Sequence, residues 1–368
     1  MTSIPLVDLG AQHAAVADEV AEGWQEVLAH TAFIGGPQVA AFEREYAEFI
    51  GVPHCVAMAN GTDAIEIALR ALGVRPGDEC ILPANTFIAT AEAVCRAGAR
   101  PVLVDCSDDD TYLIDTDAVE AAVTPRTAAV IPVHLYGQAA PVERLLPLAK
   151  RTGASLVEDA AQSQGARRNG ISAGALGDAA ATSFYPGKNL GAYGDAGAAL
   201  TGSADVAARM RMIRDHGSPR KYQHEVIGVN SRLDTLQAVV LSAKLRRLDA
   251  WNAARRSAAA RYDELLSGCD DVIRPRTLDG NEHVWHLYTV RVPNRDRVLK
   301  ELHAAGIGAG IHYPVPIHLC TAFAGLGYPE GAFPVAERTA RDLLSLPLFA
   351  EITEAQQERV ISVLLSAL

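Results

Sequence analysis

The sequence predicts an α/β protein whose central sheet is open and mostly parallel. Between about residue 55 and residue 202, short β-rich runs alternate with alanine-rich stretches of helical pattern. This alternation is typical of βαβ units, and no low-complexity linker interrupts it. Several of the short runs are continuously apolar, as expected of strands that are covered on both faces. A parallel sheet with helices on both sides accounts for these observations.

The strands of this sheet are predicted from its apolar runs. They span residues 55–60, 80–83, 101–106, 129–135, 155–159, 180–185 and 198–201. Between them lie helical patterns, one of which has its apolar residues at i, i+3, i+4 and i+7, namely Ile65, Ala68, Leu69 and Leu72. Ligands of such sheets bind beyond the carboxyl ends of the strands, so polar residues at those ends are candidates for a functional site.

The second half of the chain predicts a smaller α+β domain. A long amphipathic helix over residues 234–261 leads out of the sheet, with an apolar stripe of Leu236, Val239, Val240, Leu245 and Leu248. Beyond it, the β-like segment HVWHLYTVRV alternates with helices over residues 295–305 and 354–368. Because 368 residues is long for one compact domain, we expect a large domain at residues 1–250 and a small one at residues 251–368.

Composition and charge exclude several classes of protein. The formal net charge is -11, so the field of the whole chain repels nucleic-acid phosphates. The segment MTSIPLVDLG lacks the features of a secretory signal, and no apolar run approaches about 18 residues, so we expect a cytoplasmic protein without a membrane span. The 6 cysteines form no C-x-x-C pair and the 11 histidines no zinc-type motif, so we expect no metal site.

Lys188 is the first candidate functional residue. It lies in the segment SFYPGKNLGAYGDAGA, directly after a predicted strand, where Pro186 and Gly187 end regular structure. The loop therefore presents an ammonium group at the edge of the sheet where ligands bind. Because a lone lysine is more often a surface charge, the functional interpretation depends on its neighbours.

Three further signals accompany Lys188. Asp159 ends the predicted strand in ASLVED, where it could pair with a cationic ring nitrogen or cap a helix. The segment NGTDAIEIALRAL places Gly61 and Thr62 before a helix, where N–H groups and a hydroxyl could bind a phosphate, although N-G-T is also an ordinary turn. Ser183 could add a second hydroxyl or be a structural strand residue. Together these groups match the aldehyde, ring nitrogen and phosphate of pyridoxal 5'-phosphate (PLP).

Other segments, spread over nearly the whole chain, form an ordered series with these motifs. The series is PLVDL, FIGGPQVAAFEREYAEFIG, ANGTDAIEIAL, PANTFIATAEAV, PVHLYGQ, VEDAAQSQGA, SFYPGKNLGAYGDAGA, VNSRLDTLQAVVL and HYPVPIHL. It resembles the DegT/DnrJ/EryC1/StrS family of PLP-dependent sugar aminotransferases. The resemblance implies PLP-dependent transferase fold type I, the aspartate-aminotransferase fold, with a mostly parallel seven-stranded sheet.

The resemblance implies how PLP is bound around its ring. Lys188 would form the Schiff base and shuttle protons, and Asp159 would pair with the pyridine nitrogen. Gln162 would approach the phenolic oxygen, and Phe87 would stack on the ring. Taken without the family, the aromatic residue at position 87 would be assigned to the core.

The resemblance also implies that two subunits share each cofactor site. The phosphate would be held by Gly61, Thr62, Ser183 and Asn230. Asn230, in VNSRLD, would reach across from the neighbouring subunit, so the active site would require a homodimer. Judged by itself, Asn230 is a loop residue before a helix.

By the same resemblance, the reaction is a transamination with pyridoxamine 5'-phosphate (PMP) as intermediate. L-Glutamate would supply the amine, and a nucleotide-diphosphate keto sugar would accept it. The second half of the chain is most similar to members that act at C-3 of a dTDP-linked 3-keto-6-deoxyhexose in deoxyaminosugar biosynthesis, which serves antibiotics or polysaccharides. Amination at C-4 and a UDP-linked 3-keto sugar remain alternatives.

Four residues are implied at the sugar nucleotide. Tyr185, His312 and Tyr313 would surround the hexose, and Lys221, in the locally basic segment SPRKYQHE, would balance the diphosphate or touch the sugar. Each has a structural alternative, such as a packed tyrosine, a turn before proline or a solvated loop charge. His318, in PIHL, fits a structural role equally well.

Two rival functions remain. A sugar dehydratase of the same fold would have a histidine in place of Lys188, and in some members cysteines that hold an iron–sulfur cluster. Lys188 and the scattered cysteines argue against it. A noncatalytic regulator that binds PLP or a nucleotide sugar is the second rival, although the sequence shows no additional helix-turn-helix segment or basic arm.

Overall fold

The computed structural model, which describes residues 3–368, consists of short strands and helices that alternate along the chain. The strands are β1 (His54–Met58), β2 (Glu79–Pro83), β3 (Arg100–Val104), β4 (Thr127–Val130), β5 (Ser155–Asp159), β6 (Arg167–Arg168), β7 (Ile171–Ser172), β8 (Ala179–Ser183), β9 (Gly197–Thr201), β10 (Asn281–Glu282), β11 (Tyr288–Arg291) and β12 (Leu343–Leu346). The helices are α1 (Leu9–Ala14), α2 (Ala17–His30), α3 (Pro37–Ile50), α4 (Gly61–Ala71), α5 (Ile88–Arg96), α6 (Thr116–Ala122), α7 (Val142–Thr152), α8 (Ala204–Arg214), α9 (Thr235–Leu245), α10 (Leu248–Leu265), α11 (Arg295–Ala304), α12 (Pro334–Asp342) and α13 (Glu354–Ala367).

One sheet of seven strands, in the order β1-β9-β8-β5-β4-β2-β3, organises the fold. The strands from β8 to β3 are parallel, whereas β9 is antiparallel to both of its neighbours. The predicted mostly parallel seven-stranded sheet is confirmed. The strand predicted over residues 129–135 is shorter and ends at Val130, because Pro132 has no N–H for the ladder and the chain then turns at Tyr136, whose φ is 60°.

Helices cover both faces of the sheet. Alternate residues of β1 face opposite layers: Val56 and Met58 pack with α4, α5 and α8, whereas Cys55 and Ala57 pack with α3 and α9. Every residue of β2 and β9 is buried. Burial on both faces explains the continuous apolar runs in the sequence.

The single helix predicted over residues 234–261 is wrong, because two helices occupy this stretch. α9 ends at Leu245 and α10 begins at Leu248, with a turn at Arg246 and Arg247 between them. α9 packs on α2 and α3, whereas α10 packs on α13. Leu245 and Leu248 are both buried, so one apolar stripe fits both helices and the pattern could not reveal the break.

The C-terminal part is the predicted smaller α+β unit. β11 pairs antiparallel with β12, and α10, α11 and α13 enclose a core of their own around Tyr288 and Val360. Ile4 joins this core and bridges to Ile307, so the first described residues contact the C-terminal part. The domain boundary at residue 250 stays a prediction. Within residues 3–368, no helix is long and apolar enough to cross a membrane.

Candidate active site

The carboxyl ends of two neighbouring parallel strands and the N-terminus of α4 meet at one edge of the sheet. Asp159 is the last residue of β5, and Ser183 is the last residue of the adjacent β8. Lys188 lies in the loop that follows β8, and α4 begins at Gly61 in contact with Ser183. The topology therefore brings together residues that are far apart in the sequence, at the edge where ligands of α/β sheets bind.

Lys188 is held in a tight turn. Its backbone N–H donates to the carbonyl oxygen of Tyr185 at 2.9 Å, and its side chain is half-buried. Burial lowers the pKa of Lys188 from 10.5 to about 8, and the charge of Asp159 opposes this shift. With this pKa, about one amine in ten is neutral at pH 7, against about one in three thousand for an unperturbed lysine.

Asp159 is a buried carboxylate with defined partners. Its side chain is 5% exposed. The Thr90 hydroxyl donates to Oδ2 at 2.7 Å, and the Ala161 N–H donates to Oδ1 at 3.1 Å. Burial raises the pKa of Asp159, whereas these hydrogen bonds and the charge of Lys188 oppose the rise. A cationic ring nitrogen in contact with this carboxylate would stabilise its charged form further.

Two threonines hold Asp159 in place, and the sequence analysis missed them. The hydroxyls of Thr86 and Thr90 are 2.8 Å apart, and Thr90 donates in turn to Asp159. Both threonines are buried, so their hydroxyls need these partners. Their i, i+4 spacing in NTFIAT is the signal that could have found them.

Glu158 precedes Asp159 and serves a different purpose. Successive strand residues point to opposite faces, so the two carboxylates face different surroundings. Glu158 accepts hydrogen bonds from three backbone N–H groups at 2.7–2.8 Å, those of Gly174, Leu176 and Gly177. It also contacts Nε2 of the buried His134 at 2.7 Å. These bonds satisfy Glu158 within the protein and leave Asp159 as the carboxylate at the site.

The N-terminus of α4 forms a cradle for an anion. Asn60 caps the helix by accepting a hydrogen bond from the Asp63 N–H at 2.8 Å. In the described part of the chain, the N–H groups of Gly61 and Thr62 have no hydrogen-bond partner, and they lie at the positive end of the helix dipole. A Cβ on Gly61 would lie 2.7 Å from Cβ of Ser183, so only glycine permits this approach of the helix to β8.

Gln162 connects two tyrosines beside Asp159. Its Oε1 accepts a hydrogen bond from the Tyr136 N–H at 2.7 Å, and its Nε2 donates to the Tyr313 hydroxyl at 2.9 Å. The Tyr136 hydroxyl donates to the carbonyl oxygen of His312. Tyr136 therefore ties His312 to the sheet, a role that the sequence analysis did not assign.

The rings of Phe87 and His312 both contact the ring of Tyr313. The Phe87 ring is 49% exposed, and its centroid is 5.2 Å from that of Tyr313. Nδ1 of His312 lies 2.8 Å from the Ser345 hydroxyl. Burial lowers the pKa of His312 to about 4, and the positive charge of Lys188 contributes in the same direction. His312 is therefore neutral at pH 7.

The remaining predicted site residues lie on the surface of the chain. Tyr185 is 58% exposed. Lys221 is exposed, with its ammonium 5.2 Å from the centroid of the Tyr222 ring. Asn230 is exposed and forms an isolated bridge with Asp215. Their roles stay predictions.

His318 has the structural role that was one of its two alternatives. Its side chain is 3% exposed, and its Nε2 lies 2.9 Å from the Glu337 carboxylate. The ring of Phe333 packs edge-on against it, at 4.8 Å between centroids. These contacts hold the helical turn Ile317–Leu319 against the N-terminal end of α12.

Comparison with known proteins identifies the family. Residues 15–365 match the DegT/DnrJ/EryC1/StrS aminotransferase family. The chain belongs to this family. The family is PLP-dependent, which confirms PLP as the cofactor and aminotransferase as the class of enzyme.

Similar curated proteins align over nearly their whole length and carry different names. A "pleiotropic regulatory protein" of Geobacillus stearothermophilus is 48% identical, over 98% of this chain and 97% of that protein. A dTDP-3-amino-3,4,6-trideoxy-α-D-glucose transaminase of Streptomyces venezuelae is 46% identical, over 97% and 94%. A UDP-N-acetyl-3-dehydro-α-D-glucosamine 3-aminotransferase of Acidithiobacillus ferrooxidans is also 46% identical, over 99% and 97%.

Solved structures share the fold in full. S. venezuelae DesV, in complex with a ketimine intermediate, superposes with a TM-score of 0.96 and 45% identity, over 99% of this chain and 98% of that one. NtdA of Bacillus subtilis, with bound PMP, superposes with a TM-score of 0.91 and 31% identity, over 100% and 85%. The predicted PLP-dependent transferase fold type I is therefore confirmed.

Proposed function

We propose that this chain transfers the amino group of L-glutamate to C-3 of a dTDP-linked 3-keto-6-deoxyhexose, and so makes a 3-amino sugar. The family and its named members support the more general function, that of a PLP-dependent sugar aminotransferase acting on a nucleotide-linked keto sugar. The observation that carries the proposal is the meeting of Lys188 and Asp159 at one sheet edge, in a chain 46% identical to a dTDP-3-amino sugar transaminase over nearly its whole length.

The anion cradle of α4 fits the phosphate of PLP. The free N–H groups of Gly61 and Thr62 and the hydroxyls of Thr62 and Ser183 would bind it, as donors at a helix N-terminus bind anions elsewhere. Because Gly61 has no side chain, the N-terminus of α4 lies close to Ser183 at the end of β8. Donors from the helix and from the strand can therefore reach the same phosphate.

The neighbouring residues fit the ring of PLP. Asp159 would bind the pyridine nitrogen as a carboxylate, and the exposed Phe87 would cover one face of the ring. The Nε2 of Gln162, which donates to Tyr313 at 2.9 Å, would be the donor to the phenolic oxygen. When bound, PLP withdraws electrons from the substrate carbon through its protonated ring.

Lys188 would hold the cofactor covalently and then move a proton at its Nζ. The lowered pKa makes neutral Nζ available to accept a proton from a substrate carbon. The carboxylate of Asp159 favours the ammonium form, so Nζ can carry that proton before it returns it. An amine whose pKa is about 8 has both forms available near neutral pH and can therefore serve both steps.

The sugar would lie against His312 and Tyr313. His312 uses Nδ1 toward Ser345, and its Nε2 has no hydrogen-bond partner among the described residues, so Nε2 remains for a sugar hydroxyl. Tyr185 would cover the hexose from its exposed position. Lys221 would supply positive charge to the diphosphate in a protein whose net charge is -11.

The proposal includes a homodimer in which Asn230 binds the phosphate of the partner's PLP. Asn230 is exposed on its own chain and therefore available to a neighbour. The family resemblance supports this assignment, and a site shared between identical subunits is compatible with two-fold symmetry.

A UDP-linked 3-keto sugar is the second candidate substrate, because the Acidithiobacillus relative named for one is as similar as the Streptomyces relative. Amination at C-4 remains the alternative at the reacting carbon. The Geobacillus relative is named a regulatory protein, so a noncatalytic regulator remains an alternative. A lysine with a lowered pKa beside a buried aspartate favours catalysis instead.

The experiment is a panel of dTDP- and UDP-linked 3-keto and 4-keto sugars, each incubated with the protein, PLP and L-glutamate. Mass spectrometry detects the amine, and NMR locates it on the sugar ring. We expect amination at C-3 of the dTDP-linked 6-deoxy sugar with the highest kcat/KM. Amination only at C-4, or no amination of any sugar, would overturn the proposal.

A further inference from the structure

Lys244, on α9, is a buried lysine that the proposed reaction does not use. Its side chain is 2% exposed, and burial lowers its pKa to about 8. No ion pair joins it to a carboxylate in the part of the chain that the structure describes. Burying an ammonium group without a counter-charge costs free energy, so other contacts must stabilise the charged form of Lys244.

Neutral groups surround this ammonium. Nζ donates to the carbonyl oxygen of Gly191 and to Oε1 of Gln12, each at 2.7 Å. It also lies 4.6 Å from the centroid of the Tyr193 ring, within the range of a cation–π contact. Gly191 and Tyr193 both belong to the loop that carries Lys188, so the charge of Lys244 is directed at that loop.

Gln12, on α1, extends these contacts toward Lys188. Its Nε2 donates to the carbonyl oxygen of Asn189, the residue after Lys188, at 3.4 Å. Gln12 also lines a narrow cavity together with Gly187 and Lys188. Lys244 and Gln12 thus bind the backbone at two points directly after Lys188.

The loop depends on such contacts because it has no regular structure between β8 and β9. The side chain of Asn189 donates to Oδ1 of Asn252 and to the carbonyl oxygen of Val284, each at 2.9 Å. The N–H of Tyr193 donates to Oε1 of Gln237 at 2.8 Å. Side chains from several helices, rather than a ladder, therefore fix the backbone that carries Lys188.

We propose that Lys244 is a positioning residue for Lys188: with Gln12, it fixes the backbone at Asn189 and Gly191 and thereby directs Nζ of Lys188 toward PLP. Lys244 acts through the loop and is not itself catalytic. The inference rests on the proposed function, because it requires that Lys188 binds PLP covalently.

The test compares two cofactors that differ in their need for Lys188. Apoprotein of wild type and of Lys244→Met is mixed with PLP, and the bond to Lys188 is trapped with borohydride at timed intervals and measured by mass spectrometry. PMP, which forms no bond to Lys188, is titrated in parallel. We expect covalent capture to be at least about tenfold slower in Lys244→Met, because reacting groups tolerate little misplacement, while the Kd of PMP changes less than about threefold.

Two further variants make the comparison specific. Gln12→Met removes the other contact to the same loop and should also slow capture, and it provides the test if Lys244→Met does not fold. Gln357→Met is the matched control: Gln357 is buried and donates to the Ala258 carbonyl oxygen at 2.7 Å in the C-terminal core. It should lower the unfolding temperature without changing the rate of capture.

The outcomes separate this inference from the proposed function. Wild-type capture rates in both Lys244→Met and Gln12→Met would overturn the positioning role. An equal loss of PMP affinity and capture rate would also overturn it, because it would indicate a general structural defect. Failure of the wild-type protein itself to form the bond at Lys188 would instead contradict the proposed function.

Discussion

Burial favours the neutral forms of both Lys188 and Asp159. Burial lowers the pKa of the lysine and raises that of the aspartate, while the attraction between their charges opposes both shifts. A cationic ring nitrogen would add a second positive charge beside Asp159 and so favour the carboxylate. At the scale of single residues, the site is therefore prepared for a cofactor that brings its own positive charge.

The pH dependence of PLP capture by the apoprotein follows from the pKa of Lys188. Only the neutral amine attacks the cofactor, and a pKa lowered to about 8 makes the neutral form dominant above that pH. The rate of covalent capture should rise with pH and level off above about pH 8. Stopped-flow absorbance measures this rate, and a rise that continues toward the ordinary pKa of lysine, about 10.4, would refute the assignment.

Replacing Asp159 tests the ring-nitrogen contact. Asp159→Ala should nearly abolish turnover, and the isosteric Asp159→Asn should lower kcat at least about a hundredfold, or about 2.7 kcal/mol in activation free energy, because an amide cannot stabilise a cationic ring nitrogen. Glu158→Gln is the matched control: Glu158 bonds to backbone N–H groups, so this change should lower stability but leave most of kcat per folded chain. Near-normal turnover in Asp159→Asn would contradict the role.

At the scale of elements, the strands of the central sheet could be predicted from the sequence, whereas the break between two consecutive helices could not. Continuous apolar runs mark buried strands, and each of the seven predicted runs overlaps a strand of the central sheet, although the run over residues 129–135 is strand only as far as Val130. The break between α9 and α10 was missed because Leu245 and Leu248 are buried on both sides of it. Periodicity reports which face is apolar, whereas a change of helix direction depends on packing partners elsewhere in the chain.

The same distinction applies to the site. The positions of Asp159, Ser183 and Lys188 could be predicted, because the first two end recognisable strands and the third lies in the loop after one of them. The spacing in NTFIAT pairs Thr86 with Thr90, but it does not show that Thr90 donates to Asp159. Lys244 could not be predicted, because it acts through hydrogen bonds to residues distant in the sequence. Only the folded topology shows that such residues meet.

The junction of α4 with β8 gives a prediction at this scale. Gly61→Ala would place a Cβ 2.7 Å from Cβ of Ser183, so the helix must shift away from the strand, at a cost of about 1–3 kcal/mol in the free energy of unfolding. We expect the Kd of PLP to rise at least about tenfold, a loss of about 1.4 kcal/mol in binding free energy, as measured by titration. Gly202→Ala, with nothing within 4 Å of its added Cβ, should change neither quantity appreciably, and equal behaviour of the two variants would argue against the cradle.

At the scale of the whole molecule, the single chain leaves part of the predicted site on its surface. Tyr185 is 58% exposed, and Lys221 and Asn230 are also exposed. The protein carries a net charge of -11, so local cations must attract an anionic sugar nucleotide against the overall field. A homodimer that covers this surface would complete the site and confine the substrate.

Subunit mixing tests the shared site. Lys188→Ala and Asn230→Ala are each expected to be nearly inactive at limiting PLP, because one lacks the lysine and the other the phosphate contact given to its neighbour. A mixed dimer would contain one intact site, so co-refolding equal amounts should restore about one quarter of wild-type activity. The assay is glutamate-dependent amine transfer, and absence of any recovery would contradict a shared site.

The central claim is that Lys188 and PLP carry an amino group from L-glutamate to a nucleotide-linked keto sugar, and a two-step reaction tests it most directly. PLP-loaded protein is mixed with L-glutamate alone, the donor is removed, and the dTDP-linked 3-keto-6-deoxyhexose is then added while absorbance and mass spectra are recorded. We predict stoichiometric PMP and 2-oxoglutarate in the first step, then PLP and an equal amount of 3-amino sugar in the second, with neither step at the wild-type rate in Lys188→Ala. A cofactor unchanged by glutamate, or a Lys188→Ala protein that reacts as fast as wild type, would contradict the account.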